Sequence, residues 1–215
     1  MFNTILENIS FVQFFMVFTM VMVLWRYNRS KTIHKLLLCI LVVSVAYEIT
    51  STILIANRIN HNLLFNTMTI MHHTLWLAIL YSSTGKKRWF GILILLYVIV
   101  VVLQAFVFLD PHKFYNYGFI LGAVIYVMIF VYESLRNMLD ENLSFFSTGM
   151  LLLAAPILLF ISLSFLLAFK EIQLFDTIIA GKLTLYNCII IFGNIICYTL
   201  INIYIFKDKK LNNAR

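Results

Sequence analysis

Seven apolar stretches of membrane-spanning length, separated by short charged linkers, leave this chain little choice of fold. They fall at about 8–25, 36–57, 63–83, 90–110, 117–135, 149–169 and 183–206. A bilayer crossing needs about 20 apolar residues as a helix, and a helix satisfies its own backbone donors and acceptors where no water can. The expectation is therefore an all-α polytopic membrane protein, a single seven-helix transmembrane domain over residues 1–215 with no soluble domain. Composition agrees: 62% of residues are hydrophobic and 12% charged, against a soluble norm of about 45–50% and about 25%.

The charges sort by linker. Arg26, Arg29, Lys31 and Lys35, then Lys86, Lys87 and Arg88, then Arg136, and finally Lys207, Lys209, Lys210 and Arg215 fall on one side of the alternating spans. Arg58, Lys113, Lys170 and Lys182 fall on the other. The positive-inside rule then puts the N-terminus outside and the C-terminus in the cytoplasm. The first residues, Met1 to Glu7, carry no basic segment and no small-residue cleavage site, so the first run reads as a retained span. The net charge of +7 is accounted for by this orientation, and no basic face interleaved with aromatics points to nucleic acid. Cys39, Cys188 and Cys197 lie within apolar runs and form no CxxC pair, which predicts buried structural thiols.

Ionisable groups inside a span are costly and mark function by default. Glu48 lies in the second run, and His72 and His73 lie in the third. At about 100° per residue, Ser44, Tyr47, Glu48 and Ser51 share one helix face, and Asn66, Thr69, His72, His73 and Trp76 share another. Consecutive helices joined by a short loop are usually neighbours, so the reading places both faces together near the bilayer midplane. A hydrogen bond from His72 or His73 to Glu48 would line a pocket for a proton or a small polar ligand. The same contact also serves simply to satisfy buried polar groups in helix packing.

The last run carries a second polar stripe, Asn187, Asn194 and Tyr198, with Asn202 continuing it. If the seventh helix faces the second and third, Asn194 comes near Glu48. Gln13, Tyr97 and Gln104 are further candidates, and Glu133 has Arg136 at ion-pair spacing. No metal or cofactor is expected: adjacent histidines point about 100° apart, and His34, His61 and His112 lie in linkers or at span ends. With two prolines and seven glycines the helices should be mostly continuous. Pro156 should kink the sixth and release the carbonyl of Leu152.

These patterns fit none of the common seven-span families. No lysine lies midway along the last run, as a retinal protein requires, and no histidine follows His112, as zinc-dependent seven-span amide hydrolases require. The Asn194 to Tyr198 segment lacks the proline of G-protein-coupled receptors.

Three readings of function follow. The first is a non-catalytic receptor-like, sensory or accessory subunit, with the pocket residues Tyr47, Glu48, His72, His73, Trp76, Asn187 and Asn194 and a basic tail, Lys207, Lys209 and Lys210, that contacts a partner. The second is a carrier or channel for protons or a small solute through the same centre. The third is an intramembrane enzyme using Glu48 or a histidine as general base. Expected partners are the lipid bilayer, a membrane or cytoplasmic protein and a small-molecule ligand. Frequent Ile, Asn, Lys and Phe suggest a bacterial inner membrane.

Overall fold

The computed structural model describes residues 11–84, 88–104, 116–169, 177–180 and 183–213. Its contacts gather into two compact units, Met1–Phe119 and Ile120–Arg215. Among the described residues the helices are α1 (Phe11–Trp25), α2 (Thr32–Ala56), α3 (Asn62–Ser83), α4 (Arg88–Leu103) and α5 (Asn116–Leu139). A broken sixth segment follows, made of a π-helical turn (Phe145–Gly149), α6 (Met150–Ala154) and α7 (Ile157–Ala168), and the last helix is α8 (Leu185–Asn213). The fold is all-α, with seven helical segments where the sequence places seven apolar runs.

Five of these segments, Thr32–Ala56, Asn62–Ser83, Asn116–Leu139, Phe145–Ala168 and Leu185–Asp208, are long and apolar enough to cross a membrane. Helices α1 and α4 are apolar but shorter within the described residues. Large apolar side chains stand exposed along most of them, including Phe14, Ile49, Ile92, Leu95, Met128 and Phe192. A soluble monomer keeps such patches small. The chain is an integral membrane protein.

Two elements differ from the sequence expectation. The basic residues from Lys207 to Lys210 continue the last helix, which runs to Asn213 and forms no separate tail. A small antiparallel hairpin, β1 (Ile178–Ala180) with β2 (Leu183–Thr184), precedes α8. Lys86, Lys87, His112, Lys113, Lys170, Lys182 and Arg215 lie outside the described residues, as does the fourth run beyond position 104.

In the first unit α2 packs against both α1 and α3, and α3 packs against α4. Leu37, Ile40 and Leu41 of α2 and Trp76, Leu77, Ile79 and Leu80 of α3 are buried, as are Met16 and Val23 of α1. Hydroxyls inside the helices are satisfied locally. Thr19, Thr50, Thr52, Thr67 and Ser83 each donate to the carbonyl four residues earlier, at 2.8–2.9 Å. This is the usual solution where water is absent.

The α2–α3 connection is closed by a Schellman motif: Ile59 N–H donates to Leu54 O at 2.9 Å and Arg58 N–H to Ile55 O at 3.0 Å. Arg58 therefore sits at φ 56°, the left-handed position that glycine usually fills. The second unit repeats the device at the end of α5. Asn142 N–H donates to Asn137 O at 2.9 Å, Glu141 N–H donates to Met138 O at 3.2 Å, and Glu141 has φ 50°.

Within the second unit the sixth segment breaks at Pro156, as expected. Ala155 N–H takes the Leu152 carbonyl at 3.2 Å, and the buried Tyr126 hydroxyl of α5 donates to Leu153 O at 2.8 Å. The Tyr126 ring also meets Phe160 edge-on at 5.3 Å. At Gly193 of α8 the helices are close enough that a β-carbon would just touch α7, 3.4 Å from Leu159 Cα and 3.5 Å from Ser162 Oγ, which leaves no room for a larger side chain. Small residues at such contacts are how membrane helices pack closely.

Candidate functional site

Helix α2 carries two polar lines on different flanks. Ser44 and Ser51 are buried, and the Tyr47 ring meets Phe65 of α3 edge-on at 6.1 Å. Glu48 lies about 40° around the helix from Ser44 and about 60° from Ser51, which turns it toward α1. Its Oε2 accepts a hydrogen bond from Gln13 Nε2 at 2.9 Å. The carboxylate thus pairs with an amide of the first helix, and the expected bond to His72 or His73 is replaced by this one.

The histidines are held elsewhere. His73 is fully buried, and its Nδ1 lies 2.9 Å from Thr69 O. A carbonyl only accepts, so this nitrogen carries the proton and the contact sets the tautomer. Its ring stands edge-on to Phe119 at 4.6 Å and tilts toward Tyr97 at 6.3 Å. Tyr97 is buried too, and its hydroxyl donates to Gly118 O at 3.4 Å. His73 is thus set among aromatic rings of α4 and the start of α5. His72 lies half-buried and edge-on to Trp76 at 6.3 Å, and Trp76 is fully buried.

The polar stripe of α8 belongs to the second unit. Asn187 is exposed near the helix start, where its backbone N–H donates to Thr184 Oγ1 at 3.2 Å. Asn194 is half-buried and spends its amide on its own helix, donating to Ile190 O at 2.9 Å. Lys207 is exposed. Lys209 and Lys210 lie on the same helix, with side chains outside the described residues. Glu133 is buried, with its carboxylate 3.9 Å from the half-exposed Arg136, which also reaches Asp140 at 3.6 Å.

The feature that sequence reasoning underweighted is the groove that holds the Gln13–Glu48 pair. It encloses about 380 Å³ between α1 and α2, within the range of small-molecule sites. Phe14, Met16 and Val17 line one side, and Val45, Ile49, Thr52 and Ile53 line the other. Thr52 spends its hydroxyl on Glu48 O at 2.8 Å, which leaves the side chains of Gln13 and Glu48 as the polar group of an apolar trough. Phe14, Val17, Ile49 and Ile53 are exposed at its rim, so the trough opens on the outer surface of the described helices. The available signal was Gln13 itself, the most polar side chain of the described first helix.

Glu48 lies eight residues from the end of α2 at Ala56, or about 12 Å along the axis. The helix, at about 37 Å, exceeds the hydrocarbon thickness of about 30 Å. Centred in the bilayer, it holds the carboxylate about 8 Å below the hydrocarbon boundary. His73 is eleven residues from the start of α3 at Asn62, about 7 Å deeper when that helix is centred in the same way.

Among the described residues no three of His, Cys, Asp or Glu are placed to hold a metal ion. Comparison with protein-family models, with curated proteins and with solved structures finds no match to the chain. The geometry alone therefore carries the functional reading.

Proposed function

We propose that this chain is a non-catalytic receptor-like or accessory membrane subunit whose recognition element is the α1–α2 groove, open to ligands dissolved in the bilayer. The observation that carries this reading is the Glu48 carboxylate, tethered by Gln13 inside an otherwise apolar trough on the outer surface of the described helices. A charged residue within the hydrocarbon costs up to about 3 kcal/mol on insertion scales. Packing alone would be served at lower cost by an apolar residue. Glu48 bridges to α1 through Gln13 with one oxygen and also lines a space that admits a small molecule.

In this reading the N-terminus is outside and the C-terminus cytoplasmic, as the basic linkers favour, in a bacterial inner membrane. The helical extension carrying Lys207, Lys209 and Lys210 then projects on the cytoplasmic side, where it contacts a protein partner that provides the output. The His73 centre keeps α3, α4 and the start of α5 in register and takes no part in recognition.

The test is to purify the protein from its native membrane and analyse what accompanies it. Mass spectrometry of extracts should find a small molecule retained by wild type and lost from Val17→Trp, whose indole fills the trough. Circular dichroism and thermal unfolding would check that the variant remains folded. Equal content in the two proteins would refute the proposal.

A further inference from the structure

The groove also indicates what kind of ligand it takes. We infer that it binds a single-chain amphiphile through a primary amine, with the nitrogen on Glu48 and the alkyl chain along the trough. This rests on the proposal that the groove is a ligand site, and adds its chemistry.

Three observations lead to the amine. Gln13 occupies one oxygen of Glu48, Oε2. Glu48 is half-buried and lines the open trough, and its other oxygen, Oε1, is not sealed away from it without a partner. Among the described residues no lysine, arginine or histidine pairs with Glu48, and its carboxylate has no second hydrogen-bond partner. An acceptor oxygen at this depth needs a donor. A cationic donor forms the shorter and stronger charge-assisted bond and leaves the pair neutral in hydrocarbon, where an isolated charge is costly. An amine offers N–H donors whether or not it is protonated, so it fits the carboxyl in either state.

The chain half of the ligand is read from the walls. From Glu48 the lining of α2 extends five residues to Ile53, about 7–8 Å, and three residues the other way to Val45, with Phe14, Met16 and Val17 facing it from α1. That length suits a short alkyl chain lying along the helices, with any longer tail passing over the rim. A carboxylate-headed amphiphile would meet Glu48 with like charge. An alcohol would gain only a neutral donor's hydrogen bond.

The probe is a straight-chain primary alkylamine with a diazirine at its chain end, photolysed with the full-length protein in lipid nanodiscs. Peptide mass spectrometry then locates the label. Label is expected on the trough walls, at positions 49–53 or at positions 14–17 according to which way the chain runs from Glu48. Unlabelled n-octylamine should compete, while n-octanol and octanoate at equal concentration should not. Glu48→Gln, which keeps an amide able to meet Gln13, should weaken competition by n-octylamine by about ten- to a hundredfold.

Labelling in the groove that n-octanol competes equally well, or that Glu48→Gln leaves unchanged, would overturn the amine assignment while the groove stands as a ligand site. Labelling scattered over other lipid-facing helices, or unaffected by Val17→Trp, would overturn both.

Discussion

Replacing Gln13 by leucine tests whether the Gln13–Glu48 pair is a closed packing contact or an exposed polar centre. The substitution removes the donor that lies 2.9 Å from Glu48 Oε2 and leaves the carboxylate in an apolar trough. A hydrogen bond to a charged group contributes about 1.5–3 kcal/mol, and the stranded partner keeps its desolvation cost. Gln13→Leu should therefore destabilise the first unit by about 2 kcal/mol. Glu48→Leu takes one acceptor from a neutral amide and should cost less, about 1 kcal/mol. The double variant removes both polar groups and should approach wild-type stability, because replacing a buried polar pair by packed apolar groups is often neutral or favourable. The cycle should therefore give a coupling of about 1.5–3 kcal/mol. Reversible unfolding in mixed micelles, followed by circular dichroism, measures all four corners. Strict additivity would show that the two side chains do not interact, and the groove argument would fail with it.

The remaining predictions concern the frame around the site. Tyr126→Phe removes the donor to Leu153 O and should destabilise the second unit by about 1 kcal/mol, whereas Phe160→Leu, which keeps that bond, should leave the hydroxyl's infrared signature unchanged. Arg58→Gly relieves a left-handed non-glycine residue and should raise thermal stability by up to about 1 kcal/mol; a loss would mean that the Arg58 side chain holds the turn. Gly193→Leu places a side chain against Leu159, whose Cα is 3.4 Å from the β-carbon position. It should separate the helices and lower the midpoint of unfolding, while Gly193→Ala should cost much less.

The helix count and most boundaries were legible because hydropathy over about 20 residues is a strong signal. The Pro156 break was legible because a missing N–H leaves a carbonyl exposed; that Tyr126 would donate to the next carbonyl, at Leu153, was not. Glu48 shows where periodicity ends. Its face on α2 was read correctly to within a flank, but a helix in a bundle has two neighbours, and about 50° decides between them. Tyr47 meets Phe65 of α3 while Glu48 pairs with Gln13 of α1, and no pattern within α2 alone distinguishes these outcomes. The histidines were found by composition, but the ring packing of His73 against Phe119 and Tyr97 depends on contacts distant in sequence. Gln13 was underweighted because a lone glutamine in an apolar run shows its importance only beside its partner.

The π-helical turn at Phe145–Gly149 has a further consequence for how this chain tolerates change. Met150 N–H reaches back five residues to Phe145 O, so the turn holds one residue more than an α-helix would. A single deletion there can be absorbed by tightening the turn to α geometry, leaving Leu153 still facing Tyr126. The same deletion between Met150 and Leu153 would rotate everything beyond it by about 100° and carry the Leu153 carbonyl away from the Tyr126 hydroxyl. The turn is the sixth segment's slack, and it lies where length can vary without changing which faces meet.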